Sequence, residues 1–252
     1  MMRSLWTAAS GMRAQQVNVD TIANNVANIN TIGYKSQQAS FKSLLYQNLQ
    51  STSTNNAGEN KPVAAEVGLG SRVAAITSTF TQGNLTHVEN PFSVALEGDG
   101  FFQIRTESGE LQYTRDGSFE ISPVANGNML CTSDGNPVLD AYGNQIILPS
   151  NRVATDLVVN QDGTLAFPDG TGNPAVITDA NGRPVKFGIY QFNNPAGLSK
   201  EGSNNYSVTV ASGAAVAENG NAAVKQTKTH QYYTEASNVD VANEMVNLIV
   251  AQ

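Results

Sequence analysis

Apolar residues recur at a spacing of three and four positions through the first 30 residues of the chain. They follow the order Leu5, Ala8, Met12, Gln15, Val19, Ile22, Val26 and Ile29, with Gln15 as the polar member. This spacing is the apolar seam of a coiled coil, sustained over four heptads. An isolated helix in water is marginally stable unless its apolar face is packed, so the pattern predicts a helix whose seam needs a partner surface.

The end of this first helix is rich in asparagine. The helix is predicted to stop near Asn30, and Gly33 is the residue type that adopts the left-handed conformation found just past helix ends. The asparagines at 24, 25, 28 and 30 indicate either a fraying last turn or side-chain hydrogen bonds to neighbouring helices. The second interpretation is favoured, because the seam continues through Val26 and Ile29.

A second helical pattern with few charges closes the chain. Its apolar stripe consists of Val239, Ala242, Val246 and Ile249. Ser237 followed by Asp240 resembles a capping box, with Asp in place of Glu, which predicts that this helix begins at Ser237. We expect the two terminal helices to pack together. Because two helices cannot cover both stripes, further copies of the chain are expected to supply the rest.

The pattern between the helices changes to that of strands. Positions 34–50 are ambiguous, because Phe41, Leu44, Leu45 and Leu49 fit a helical spacing but the serines at 36, 40 and 43 weaken it. The polar positions 51–62 are predicted to be a linker. From Val67 to Tyr233 the chain contains eight Asn-Gly or Asp-Gly pairs, which favour the tight turns of hairpins. The clearest hairpin is predicted around Asp116-Gly117. Short strands at this spacing predict an all-β sandwich or barrel-like domain.

The predicted fold class is therefore mainly β with helical ends. Coiled-coil-type helices at the N- and C-termini flank the all-β sandwich or barrel-like domain. The predicted boundaries are 1–33 for the N-terminal helix, 34–66 for a connecting arm, 67–233 for the β domain and 234–252 for the C-terminal helix.

Composition narrows the classes of partner. Only 14% of the residues are charged, against about 25% in typical soluble domains. Such a surface suits packing against protein, and it also suits a secreted or surface β protein. A net charge of −7 without a basic patch argues against a nucleic-acid partner. No stretch is long and apolar enough to insert into a membrane, and the start does not resemble a cleaved signal peptide.

The sequence offers little catalytic chemistry. Cys131 lies in an apolar run and is expected to be a small buried hydrophobe. His87 and His230 lack sequence partners at metal-ligand spacing, and no nucleophile elbow, P-loop or dinucleotide fingerprint occurs. Asp162-Gly163 and Asp169-Gly170 are predicted to be turns, because calcium-loop spacing is absent. We therefore expect no catalytic residue, cofactor or metal ion.

Several separated segments resemble the bacterial flagellar rod and hook family. They run Asp20–Lys35, Gln82–Leu85, Gly98–Phe102, Tyr113–Phe119 and Glu235–Ala242. The residues that carry the resemblance include Asn24, Asn25, Asn28, Gly33, Gly100, Phe101, Asp116 and Gly117. The positions 3–6 and the long segment after Tyr46 resemble the distal-rod members of the family. Those members carry an extra insertion where positions 47–67 lie here.

The resemblance implies a non-enzymatic structural subunit of the basal body. Copies would polymerise into a hollow helical shaft that transmits motor torque to the hook, with the terminal helices forming the inner tube. The implied partners are copies of itself, neighbouring rod and hook subunits and the flagellar type III export apparatus. Family members usually continue the last helix beyond the position of Gln252. The resemblance therefore implies either that this chain is a truncation or, if it is complete, that the inner tube would be short of several helical turns per subunit.

Three alternatives stay open at this point. The chain is another axial member of the family, either proximal rod or hook. From a different class, it is a surface-binding β module with oligomerising helical tails. The third alternative is an enzyme on a β scaffold, which would need a deep pocket holding convergent carboxylates.

Overall fold

In a computed structural model of the protein, helix α1 (Met2–Ala27) opens the chain. The structure describes residues 2–50, 65–124, 127–150, 152–168, 174–179, 182–221 and 224–251. The helix ends three residues before the predicted position, and turns continue the chain to Gly33. Gly33 has a φ of +69°, so the expected left-handed glycine is present. A side chain there would also meet the backbone of Arg115 and Asp116.

α1 belongs to the first of two compact units, formed by Met1–Ala27, Gln37–Thr79 and Asp240–Gln252 and called here the helical unit. Its strands are β1 (Gln37–Ser43), β2 (Tyr46–Gln50), β3 (Ala65–Gly68) and β4 (Ser71–Ser78), and its second helix is α2 (Val241–Ala251). β1 pairs antiparallel with β4, and β2 with β3. The two pairs follow one another along the chain as a two-stranded ribbon, and β1 and β4 contact α1.

The ribbon resolves the ambiguity at positions 34–50. Phe41, Leu45 and Leu49 fit a helical spacing, but β1 and β2 are strands and these side chains are exposed. Pairing with β4 explains why this stretch is a strand, because every residue of β1 has a cross-strand partner in β4. The predicted linker at 51–62 lies outside the described residues.

The second compact unit comprises Asn28–Ser36 and Phe80–Val239 and is called here the β unit. Its strands are β5 (Leu85–His87), β6 (Val94–Glu97), β7 (Phe101–Arg105), β8 (Leu111–Thr114), β9 (Glu120–Val124), β10 (Gly127–Cys131), β11 (Ile147–Leu148), β12 (Val158–Val159), β13 (Leu165–Pro168), β14 (Pro174–Val176), β15 (Ile189–Gln191), β16 (Ser199–Gly202), β17 (Asn205–Ser207), β18 (Val216–Ala217), β19 (Lys228–Gln231) and β20 (Tyr233–Glu235). Short 3₁₀ turns occupy Ala154–Asp156 and Pro195–Gly197.

The strands of the β unit form open antiparallel sheets. The largest has six strands in the order β16-β17-β8-β7-β15-β18, and two three-stranded sheets are β11-β10-β9 and β12-β13-β14. β19 pairs with β6, and β20 with β5. None of the described sheets closes into a barrel. The predicted class, mainly β with a helix at each end, is confirmed.

Apolar side chains from these sheets form the core of the β unit. The larger cluster includes Val94, Leu96, Phe102, Phe119 and Leu165, each almost fully buried. A smaller aromatic cluster of Phe101, Tyr113, Phe192 and Tyr206 packs edge to face. Burial of such side chains is the main source of folding free energy. The helical unit, in contrast, exposes large apolar side chains such as Leu5 and Met12.

The prediction of a hairpin around Asp116-Gly117 is wrong. β8 pairs with β7 and β17, and β9 pairs with β10 instead of β8. Gly117 has no left-handed φ; its carbonyl accepts a hydrogen bond from Val94 N at 2.9 Å. A Cβ at Gly117 would overlap the Val94 carbonyl oxygen. Glycine is therefore required by a close backbone approach, which looks the same in sequence as a turn glycine.

Candidate assembly surfaces and the buried ion cluster

The predicted seam of α1 is covered along only part of its length. Leu5 and Met12 are 70% and 68% exposed, whereas Ile22 is 6% exposed. Ala8 is also exposed, and Val19, Val26 and Ile29 are half-buried. Trp6, beside the seam, is exposed as well. The seam therefore presents an apolar surface over its first half.

Asn25 attaches the covered half of α1 to strand β1 and to helix α2. Its side chain is 1% exposed. Nδ2 donates to the Gln37 carbonyl at 2.8 Å and to Glu244 Oε1 of α2 at 3.0 Å, and Oδ1 accepts from Gln37 N at 2.9 Å. One amide thus satisfies both backbone groups of Gln37 and links the two helices. For this residue the hydrogen-bonding interpretation of the asparagines is correct.

Helix α2 begins later than predicted. Asp240 Oδ1 accepts from Ala242 N at 3.0 Å and Oδ2 from Asn243 Nδ2 at 2.7 Å, so Asp240 is the N-cap. Ser237 Oγ accepts a hydrogen bond from Val239 N. This bond joins residues two positions apart, and both precede the helix. The capping box starting at Ser237 is therefore wrong, and the cap lies three residues further on.

The face of α2 is strongly apolar and exposed. Met245, Val246 and Ile249 are 57%, 59% and 72% exposed, and Ala242 is exposed too, while Val239 is half-buried before the helix. The helix contacts α1, but this contact leaves the stripe open. The helical unit thus exposes two apolar helix faces in a single chain. Whether they form the assembly seam stays a prediction.

A buried ion cluster of Lys35, Arg115 and Glu235 lies inside the β unit. Lys35 Nζ is 2.6 Å from Glu235 Oε1, and Arg115 Nη1 is 3.3 Å from Glu235 Oε2. None of the three side chains is more than 1% exposed. Gly83 N also donates to Glu235 Oε1, and Gly33 N to the Glu235 carbonyl, each at 2.8 Å.

The two cations of the ion cluster have further partners. Lys35 Nζ donates to the Thr81 carbonyl at 2.8 Å, and Arg115 Nη2 to the Gly98 carbonyl at 2.7 Å. The Arg115 guanidinium also lies over the Phe101 ring, 5.0 Å from its centroid. Among the described residues, Arg115 Nε has no hydrogen-bond partner. Burial lowers the pKa of Lys35, and the Glu235 carboxylate opposes that shift.

The ion cluster joins all the segments that carried the family resemblance. Glu235 meets residues from the first segment, the Gln82–Leu85 segment and the Tyr113–Phe119 segment, and Arg115 meets the Gly98–Phe102 segment. The resemblance includes these segments, but no local sequence pattern singles out the three charges. Lys35, Arg115 and Glu235 each lie inside one of these segments, in a chain that has few charges.

The other residues of the resemblance have structural roles. Asn24 is exposed on α1, and Asn28 accepts from Thr31 Oγ1 at 3.2 Å just after the helix. Gly100 N donates to Thr227 Oγ1 at 3.1 Å, and a Cβ there would overlap neighbouring side chains. Asp116 Oδ1 accepts from Ser118 N and Oγ at 2.9 and 2.5 Å. Burial raises the pKa of Asp116.

The remaining candidate chemistry consists of the two histidines and Cys131. No group of three or more His, Cys, Asp or Glu side chains could hold a metal ion there. His230 Nε2 lies 2.7 Å from Glu97 Oε2 at the surface, and this hydrogen bond lowers the pKa of Glu97. Cys131 is buried, as expected. No described helix has the length and apolar character needed to cross a membrane.

Comparison with known protein families agrees with these segments. The family model described as "Flagella basal body rod protein" matches residues 5–35, and "Flagellar basal body rod FlgEFG protein C-terminal" matches 230–252. "Flagellar hook protein FlgE/F/G D1 domain" matches 95–167. The first two matches include Lys35 and Glu235, and the third includes Arg115.

Relatives align with the whole chain. The flagellar basal-body rod protein FlgG of Borreliella burgdorferi is 40% identical over 258 residues, covering 100% of this chain and 90% of that protein. The proteins of the same name from Caulobacter vibrioides and Bacillus subtilis are 36% and 34% identical, with the same coverage. The chain therefore belongs to the family of flagellar basal-body rod proteins and, as its sequence predicted, is most like the distal-rod member.

Proposed function

We propose that the chain polymerises through its terminal helices into the hollow distal-rod shaft, which passes motor torque to the hook. The observation that carries this proposal is the pair of exposed apolar faces on α1 and α2. Leu5, Met12, Val246 and Ile249 are all more than half exposed in the single chain. Contiguous exposed apolar surface of this kind marks a site of protein contact.

The low charge of these faces supports contact between copies. α1 carries Arg3, Arg13 and Asp20, and α2 carries Glu244. Burying an apolar side chain stabilises an interface, whereas burying an unpaired charge destabilises it. Two helices with so few charges can be enclosed on most sides by neighbouring subunits. The role is structural and non-enzymatic, and the partners are copies of the chain and adjoining rod and hook subunits.

The ion cluster suits a part that carries torque. The chain crosses between the helical unit and the β unit four times, after Ala27, Ser36, Thr79 and Val239. Two of these links lie at or beside Ser36 and Asn238, and Ser36 N donates to Asn238 Oδ1 at 2.7 Å. Lys35 and Glu235 lie next to these links in the chain and are joined by the buried ion pair. Load on either link therefore reaches the core of the β unit at one place.

The proposed location is the flagellar basal body, reached through the flagellar export apparatus. The test is deletion of the gene in its own bacterium, followed by electron microscopy of purified basal bodies. We expect cells that do not swim and a shaft that stops before the hook, both restored by the wild-type gene. Basal bodies with a complete rod and hook in the deletion strain would overturn the proposal.

A further inference from the structure

Glu235 comes last in sequence among the groups that meet in the ion cluster. Lys35, Gly83, Gly98 and Arg115 all precede it by more than 100 positions. Its carboxylate accepts from Lys35 Nζ, Gly83 N and Arg115 Nη1, and its carbonyl accepts from Gly33 N. A chain synthesised from its N-terminus therefore contains every other member of the cluster before it contains Glu235.

The strands next to Glu235 complete the ladders of earlier strands. β6 carries Val94, Ala95 and Leu96, each 1% exposed, and pairs with β19. β5 pairs with β20, which ends at Glu235. Ala236 N then donates to the Asn84 carbonyl at 2.9 Å. Without positions 228–236 the described backbone of β5 and β6 loses these partners, and unpaired buried backbone groups are costly.

The buried charges of the ion cluster make the stability of the β unit depend more strongly on Glu235. Lys35 and Arg115 are both buried, and each forms its ion pair with Glu235. Removing one partner of a buried ion pair leaves an uncompensated charge in a low-dielectric interior, which is strongly destabilising. Here loss of one carboxylate leaves two such cations close together. The lowered pKa of Lys35 reflects the same burial.

We propose that Glu235 closes the fold of the β unit: the chain up to Thr234 does not hold the folded unit, and folding is completed when Glu235 enters between Lys35 and Arg115. The β unit then remains unfolded until nearly the whole chain is available. This keeps the chain able to thread a channel, a use that rests on the export route proposed above. The claim about folding itself concerns a single chain.

The test compares two full-length variants with the same chemical change, Glu235→Gln and Glu97→Gln. Glu97 is exposed, and its Oε2 lies within hydrogen-bond distance of His230 Nε2 at the surface, at 2.7 Å. Amide hydrogen exchange of Val94 and Leu96, measured on the monomer, reports opening of the β unit. We expect Glu235→Gln to lower the hydrogen-exchange protection factors of these amides by on the order of 100-fold or more. Glu97→Gln should change protection by no more than about 5-fold.

A rescue variant separates charge balance from a general loss of contacts. In the wild-type chain, Lys35→Met should lower protection, because it removes an ion pair and a hydrogen bond. In the Glu235→Gln chain the same substitution should raise protection, because it removes an unpaired buried cation. Equal protection in Glu235→Gln and Glu97→Gln would overturn the proposal. So would a Lys35→Met change that fails to raise protection in the Glu235→Gln chain.

This measurement stands apart from the proposed function. Hydrogen exchange on dilute monomer does not depend on polymerisation, so failure of the shaft model leaves the expected protection unchanged. Conversely, wild-type-like protection in Glu235→Gln would remove the folding claim and leave the exposed helix faces as they are.

Discussion

Lys35 Nζ lies 2.6 Å from Glu235 Oε1, although the two residues are 200 positions apart in the chain. The pair brings the segment after the first helix together with the segment before the last one, inside the β unit. Buried ion pairs add little net stability over apolar packing, but losing one partner is costly. The pair is therefore costly to break, even though its net contribution over apolar packing is small.

Arg115→Lys should destabilise the β unit although the charge is kept. The guanidinium donates to Glu235 Oε2 through Nη1 and to the Gly98 carbonyl through Nη2. A lysine ammonium lacks this planar fork, so one bond is lost. Loss of a hydrogen bond to a charged group predicts a fall of about 1.5–3 kcal/mol in the free energy of unfolding.

Urea unfolding monitored by tyrosine near-UV circular dichroism measures this change. The matched control is Arg183→Lys, an exposed arginine of the same unit. Its guanidinium lies over the Tyr142 ring, 5.1 Å from the centroid, so the change should stay within about 1 kcal/mol. Equal unfolding midpoints for the two variants would show that the fork geometry at Arg115 has no role in stability.

Asn25→Ala should release the start of β1 from α1. The side chain satisfies both the N–H and the carbonyl of Gln37, so the substitution leaves these groups without their partner. We expect a loss of about 1–3 kcal/mol in local stability. Asn25→Asp should cost more than Asn25→Ala, because it brings a second carboxylate next to Glu244.

The measurement is the exchange rate of the Gln37 amide, which is bonded to Asn25 Oδ1 in the wild type. Asn247→Ala, at an exposed position of α2, serves as the control and should leave this rate unchanged. A Gln37 amide that stays fully protected in Asn25→Ala would refute the assignment of this bond.

Asp240→Ala should fray α2, whereas Ser237→Ala should not. Asp240 caps the helix through Ala242 N, and removal of an N-cap carboxylate costs about 1 kcal/mol. Ser237 accepts a bond before the helix begins, so its removal should leave helix content unchanged. Backbone chemical shifts at positions 241–244 report the difference, and a larger effect of Ser237→Ala would favour the capping box predicted from sequence.

Gly117→Ala and Gly11→Ala should act in opposite directions. A Cβ at Gly117 would overlap the Val94 carbonyl oxygen, so strand β6 must shift, at an expected cost of about 1–3 kcal/mol. Gly11 lies within α1 with open space around it, so alanine should stabilise the helix by up to about 1 kcal/mol. Thermal melts of both variants test this, and a stabilised Gly117→Ala chain would contradict the close approach.

The sequence identified the two helices and the class of the domain between them, because these depend on local patterns. The seam from Leu5 to Ile29 has one period throughout, and so does the stripe from Val239 to Ile249. The termini of both helices were less well predicted. α1 ends at Ala27, before the asparagine-rich turns. α2 begins after Asp240, and the sequence offers two possible N-caps within four residues, Ser237 and Asp240.

Features that depend on distant residues were beyond local reasoning. Gly117 has the dipeptide context of a turn, yet it faces Val94, 23 positions earlier, and β8 pairs with β17, which begins at Asn205. The ion cluster links positions 35, 115 and 235, and no local pattern relates them. Only the resemblance pointed to these segments, and it did so without indicating that they meet.

We propose above that the exposed faces of α1 and α2 join copies of the chain. Val246 on α2 is 59% exposed, and Val210 in the β unit is fully exposed, so Val246→Glu and Val210→Glu make the same change at two exposed valines. A charge buried at an interface is costly, whereas one left in water is not.

Electron microscopy of basal bodies from cells that carry each variant as the sole copy is the direct measurement. We expect Val246→Glu cells to lack the shaft and Val210→Glu cells to build it like the wild type. A complete shaft in Val246→Glu cells would contradict the claim.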